Sequence, residues 1–103
     1  MPQFVSPFSG NANNRKLTKD ELVRAMRFVV AAEYEAVQIY EQLAESIDDQ
    51  GAAAVLRSVA DEELVHAGEF LEVVYRLSPN EQGFYKQGAQ EARQTMDQAH
   101  TTV

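Results

Sequence analysis

The chain has 103 residues, 45% of them hydrophobic and 24% charged, which fits one ordinary globular domain near the small end of the range. It has no cysteine, which excludes a disulfide scaffold, a thiolate zinc site, an iron–sulfur cluster and a cysteine nucleophile. A net charge of −7 argues against a nucleic-acid-binding surface, and no apolar run approaches the roughly 20 residues of a membrane span.

Residues 1–17 contain Pro2, Pro7, Ser9, Gly10 and three asparagines, and read as an irregular segment. Phe4, Val5 and Phe8 could dock on a neighbouring surface. The segment lacks a basic stretch followed by an apolar one, so it is not a secretory signal and the expected compartment is the cytoplasm. Thr18 and Glu21 form a capping box that starts a first helix, which continues without proline or glycine to about Ile47. Asp48, Asp49, Gln50 and Gly51 make a short turn, and a second helix follows over about 52–77. Ser78 and Glu81 form a second capping box with Pro79 at the first helical position, opening a third helix to about 98. Residues 99–103 are left as a tail. No segment alternates with period two, so no strands are expected.

Charge is concentrated along this chain. Residues 1–32 carry five basic and two acidic side chains; residues 33–72 carry eleven acidic and one basic, Arg57; residues 73–103 carry three of each. The acidic block is either a solvated face or a surface that collects cations.

The apolar stripes show where some of the acids point. Helix one repeats Leu22, Met26, Val29, Val30, Ala36, Val37, Tyr40, Leu43, Ala44 and Ile47 at steps of three and four. Helix two repeats Ala52, Val55, Leu56, Val59, Phe70, Val73, Val74 and Leu77. Glu33 sits in the middle of the first stripe, and Glu63 and His66 in the middle of the second. Glu63 and His66 are about 60° apart on one helix face. Glu33 lies about 21 Å before Ile47, and Glu63 and His66 about 17–21 Å beyond Ala52. A tight antiparallel hairpin therefore brings all three to one level. Two carboxylates and an imidazole suit iron or manganese, and a buried carboxylate is expensive unless paired or metal-bound. The plainer alternative places the glutamates at an exposed stripe edge and makes His66 a hydrogen-bonded core residue. Tyr40 is core or orients a carboxylate through its hydroxyl. Glu35 and Glu62 lie off the stripe as surface acids, or assist the site or the entry of ions. His100, near the end of the chain, has no specific role.

Di-iron carboxylate bundles take one Glu from each of two helices and a Glu-x-x-His from each of the other two. This chain supplies half: Glu33, and Glu63 with His66. A homodimer with its two-fold axis between the metals completes the set, and covers apolar faces that one hairpin leaves open. The expected fold is thus all-α: an antiparallel two-helix hairpin plus a shorter third helix, completed to a four-helix bundle by homodimerisation.

The segment AAEYEAVQIY, a short acidic turn and then DEELVHA resemble the ferritin-like superfamily, and within it the encapsulated ferritins, the cargo of encapsulin nanocompartments. The resemblance spans roughly residues 18–98. It implies that Glu33, Glu63 and His66 are iron ligands and catalytic residues at a dimer interface, with Tyr40 a central aromatic and Glu35 part of an acidic entry path. It implies dimers assembled into a ring through the third helix, inside an encapsulin shell. Ala32 stands where some members carry another acid, Ile39 where some carry an aromatic, and Asp97–Val103 shows no evident encapsulin-targeting peptide.

The function expected is oxidation of Fe(II) to Fe(III) at a di-iron centre, with dioxygen or peroxide as oxidant, for iron storage or detoxification. Mn, Zn or Ca could take the place of iron. With 103 residues the chain lacks a full ferritin subunit, so storage would lie in a compartment outside it. Two alternatives stand beside this: a rubrerythrin-like peroxide-scavenging enzyme, needing a separate electron donor because the chain has no cysteine, and a non-catalytic helical interaction domain.

Overall fold

The computed structural model describes residues 14–101. The expected docking residues Phe4, Val5 and Phe8 lie outside the described residues. Among these, three helices account for all regular structure: α1 (Lys19–Glu45), α2 (Gln50–Leu77) and α3 (Pro79–Thr101). No helix among them is long and apolar enough to cross a membrane.

The helix ends follow local chemistry. Thr18 is extended, and its hydroxyl accepts from the Glu21 N–H at 3.2 Å while the Glu21 carboxylate accepts from the Thr18 N–H at 2.9 Å. This is the expected capping box, and it satisfies two donors that a helix start leaves orphaned. α1 stops at Glu45, two residues early, where the Ser46 N–H turns back to the Leu43 carbonyl at 3.0 Å. α2 starts at Gln50 rather than 52 because Asp49 caps it, accepting from the Ala52 N–H at 2.9 Å. Gly51 therefore lies inside the first turn of α2. α3 runs through Thr101, so the expected tail at 99–103 begins as helix.

α1 and α2 pack as an antiparallel hairpin with a strict seven-residue repeat. The buried line on α1 is Val23, Val30, Val37 and Ala44; on α2 it is Ala53, Ala60, Ala67 and Val74. A seven-residue repeat is the signature of a left-handed helix pair. Three alanines along α2 favour close packing of the pair, because at those positions α2 contributes only a β-carbon against the valines of α1. The second line of each helix is half-buried: Met26, Glu33 and Tyr40 on α1, continued by Ile47 just past its end, and Leu56, Glu63, Phe70 and Leu77 on α2.

The stripes read from the sequence differ from this in an informative way. Leu43, Val55 and Val73, expected in the core, are 47%, 63% and 39% exposed. Val30, Val37, Ala44 and Val74 are buried as expected, and Val23, Ala53, Ala60 and Ala67, absent from those stripes, make up the rest of the core. Large apolar residues mark a face that seeks a partner. The line of closest approach between two helices is instead filled by small side chains, which carry little hydrophobic signal. Four valines and four alanines make a thin core, and one chain covers only the inner line of its apolar face.

Candidate metal centre

Glu33 and Glu63 occupy corresponding half-buried positions on the two helices, and His66 lies one turn beyond Glu63. The antiparallel hairpin brings them level. One ligand atom from each of the three lies within 4.8 Å of the others, and they form the one such His/Cys/Asp/Glu group among the described residues. His66 turns Nδ1 toward both acids, 3.8 Å from Glu33 Oε2 and 3.8 Å from Glu63 Oε2. These separations are too long for hydrogen bonds. They leave a gap between a nitrogen and two oxygens that a cation could bridge.

The two glutamate side chains are each 17% exposed. Glu33 Oε2 is fully buried and has no hydrogen-bond partner among the described residues. A buried, unpartnered carboxylate oxygen is the feature that most needs an explanation, because desolvating it without a partner is unfavourable. A cation held between Glu33, Glu63 and His66 would supply that partner. The oxygen and nitrogen donors match the preference of iron and manganese.

The remaining candidates stand apart. Glu35 and Glu62 are exposed and outside the cluster. Tyr40 is half-buried two turns further along the line of Glu33, about 10 Å on. No hydrogen bond joins it to either glutamate among the described residues. His100 is exposed in the last turn of α3.

A second polar cluster was not anticipated. Glu81 was expected to return to the backbone of Ser78. Its carboxylate instead accepts from Arg27 of α1, with Nη2–Oε1 at 2.5 Å and Nε–Oε2 at 3.1 Å, and from the Tyr85 hydroxyl. Hydrogen bonds from Arg27 hold the Glu81 carboxyl below its usual range, against the opposing effect of burial. The capping-box pattern concealed this pairing, and Arg27 stood on α1 with no partner assigned to it.

The rubrerythrin family model matches residues 25–102 of this chain. The encapsulin nanocompartment cargo protein EncC of Myxococcus xanthus is 36% identical over 93 residues, covering 90% of this chain and 70% of that protein. A ferritin-like-encapsulin shell fusion protein of Pyrococcus furiosus is 34% identical over 81 residues, covering 79% of this chain but only 24% of that longer protein. The crystal structure of an encapsulated ferritin domain from Pyrococcus furiosus superposes with a TM-score of 0.78 at 31% identity, covering 84% of this chain and 88% of that one. Fold, spacing and sequence agree: the chain belongs to the rubrerythrin family, as a ferritin-like member akin to the encapsulated ferritins.

Proposed function

We propose that this protein oxidises Fe(II) to Fe(III) at a two-iron centre built from Glu33, Glu63 and His66 of two copies. The observation that carries the reading is the buried, unpartnered Glu33 Oε2 facing Glu63 and His66. Three side chains cannot fill the coordination of two irons. A second copy, applied with its half-buried face against this one, doubles the set to four carboxylates and two imidazoles. That face carries Met26, Val29, Tyr40, Phe70 and Val73 around the cluster, so the same contact buries apolar surface that a single hairpin leaves partly open.

Bound iron supplies the one-electron change from Fe(II) to Fe(III), with dioxygen or peroxide taking the electrons. The residues do the rest. Glu33 and Glu63 provide anionic oxygens that favour the more highly charged product. His66 contributes one neutral nitrogen, directed by the turn that separates it from Glu63. Between two copies, the apolar neighbours would restrict water and strengthen these interactions. The names of the relatives, an encapsulin cargo protein and an encapsulin shell fusion, support residence inside an encapsulin compartment within the cytoplasm, where oxidised iron would collect. The family match supports one further reading, peroxide scavenging at the same site, with electrons from a separate donor because the chain has no cysteine.

Aerobic Fe(II) oxidation, followed by absorbance, tests the proposal. Glu33→Ala, Glu63→Ala and His66→Ala should each lower the rate at least roughly a hundredfold, since even outer partners of ligands are worth tenfold to a hundredfold. His100→Ala should match the parent. Parent-like rates in all three ligand variants would make the cluster ordinary bundle chemistry. Faster turnover of peroxide with a reduced donor than of Fe(II) in air would favour the scavenging reading.

A further inference from the structure

Glu81 is the one buried residue of α3 among the described residues, and beyond Gln82 every described residue of that helix is exposed. α3 therefore has almost no packing to hold its direction. What holds it lies at its root. α2 ends at Leu77 and α3 starts at Pro79, so Ser78 alone (φ −138°, ψ 75°) separates the two helices. Pro79 lacks an N–H and its ring prevents the two helices from merging into one. The Ser78 N–H donates to the Val74 carbonyl at 2.7 Å, and the Glu81 N–H to the Ser78 carbonyl at 3.0 Å, so both helices are anchored up to this single residue. On the α1 side lies a cleft of about 420 Å³ whose walls include Val23, Arg24, Arg27, Leu77 and Pro79, so no packed core fills the space between α1 and the root of α3.

We infer that Ser78 is a hinge, and that Arg27, Glu81 and Tyr85 form a latch fixing the direction in which α3 leaves the hairpin. The latch spans all three helices. Arg27 reaches from α1 to Glu81 with two nitrogens, Tyr85 of α3 donates to the same carboxylate, and the Tyr85 ring stands 6.0 Å from that of Tyr75 on α2, tilted by 57°. A guanidinium–carboxylate fork fixes direction as well as distance, which a single apolar contact does not. Its position matters mechanically. α3 has 23 residues and is about 34 Å long, so a rotation of about 20° at Ser78 carries its far end roughly 12 Å. The latch sits in the first two turns, close to the fulcrum, where only a stiff contact controls the tip. Phe84 and Met96, 69% and 60% exposed, ride on this arm, so the latch decides where their apolar side chains are presented.

Paired spin labels measure this directly. The chain has no cysteine, so Gln38→Cys on α1 and Gln94→Cys on α3 place one label on each element. Labelled chain diluted into an excess of unlabelled chain reports distances within one molecule. The parent should give one narrow distance distribution. Arg27→Glu and Glu81→Arg should each broaden it at least twofold, the double swap should narrow it again, and Tyr85→Phe should broaden it slightly. Circular dichroism identifies any variant with a lost hairpin, and Tyr85→Phe then carries the test. Distributions as narrow as the parent's in all variants, or a broad one in the parent, would overturn the latch.

Discussion

Glu33 and Glu81 are the same residue in similar burial, with side chains 17% and 9% exposed, yet they are handled in opposite ways. Glu81 has its charge answered by Arg27 and a further donor in Tyr85. Glu33 faces another acid, and one of its oxygens has no partner among the described residues. A carboxylate that is fully satisfied inside its own chain belongs to the fold. One that is left short belongs to whatever arrives from outside. Glu81 therefore reads as an acid of the fold, and Glu33 as the one with a partner still to gain.

The sharpest way to break it is to add metal. Fe(II) under anaerobic conditions should raise the melting temperature and shift the parent toward dimers or larger species, because ligands from two chains meet on it. At a hundredfold excess over the dissociation constant, linkage gives about 2.7 kcal/mol. Glu33→Ala should abolish that gain, whereas Glu81→Gln should keep it. Light scattering and thermal melts in the same samples check both. A metal-loaded parent that remains monomeric at micromolar concentration would remove the shared-site reading.

Without metal the two acids should part in sign. Glu63→Gln keeps the shape at the cluster and removes one of two close negative charges, so the apo-protein should melt higher, and added Fe(II) should stabilise it less than the parent. Glu81→Gln weakens charge-assisted hydrogen bonds at the root of α3 and should lower stability by about 1 kcal/mol, or about 4–8 °C. Scanning calorimetry of the two variants without metal decides the matter. Glu63→Gln melting lower than the parent would show that this carboxylate serves a structural hydrogen bond.

The meeting of Glu33, Glu63 and His66 was legible in the sequence, and the contact of Arg27 with Glu81 was not, for a physical reason. Glu33, Glu63 and His66 interrupt apolar stripes, and a hairpin has one geometry, so counting residues from the turn sets their heights. The Thr18–Glu21 cap was legible because its partners are three residues apart. Glu81 carried the same local pattern after Ser78, and there local spacing misled: an arginine fork on a buried carboxylate, over a sequence separation of 54, is a stronger contact than a cap. The alanine line of α2 was missed because small residues signal close approach, not hydrophobicity. The exposed Leu43, Val55 and Val73 were misplaced because a stripe read from sequence does not say how many helices cover it.

The smallest expected effect places a third acid between the two extremes. Glu21 is satisfied like Glu81, by an Arg15 fork at 2.7 and 2.6 Å and by the Thr18 N–H, but it lies at the surface. These hydrogen bonds, Arg15's first, lower its carboxyl to about 2 from an ordinary 4.5. A carboxyl lowered on folding stabilises the protein above the unfolded value, and that contribution fades as pH falls from 4.5 toward 2. Solvent and salt screen an exposed pair, so Glu21→Gln should change the melting temperature at neutral pH less than Glu81→Gln does. Its difference from the parent should shrink further in 1 M salt and vanish as pH approaches 2. The Glu81→Gln difference should fade over acid pH too, since Arg27 lowers that carboxyl, but should resist salt because the pair is shielded on the carboxylate side. Melts of parent and both variants across pH and salt check this. Equal salt sensitivity in the two variants would mean that burial of Glu81 adds nothing to its pairing, and that it too is a surface ion pair.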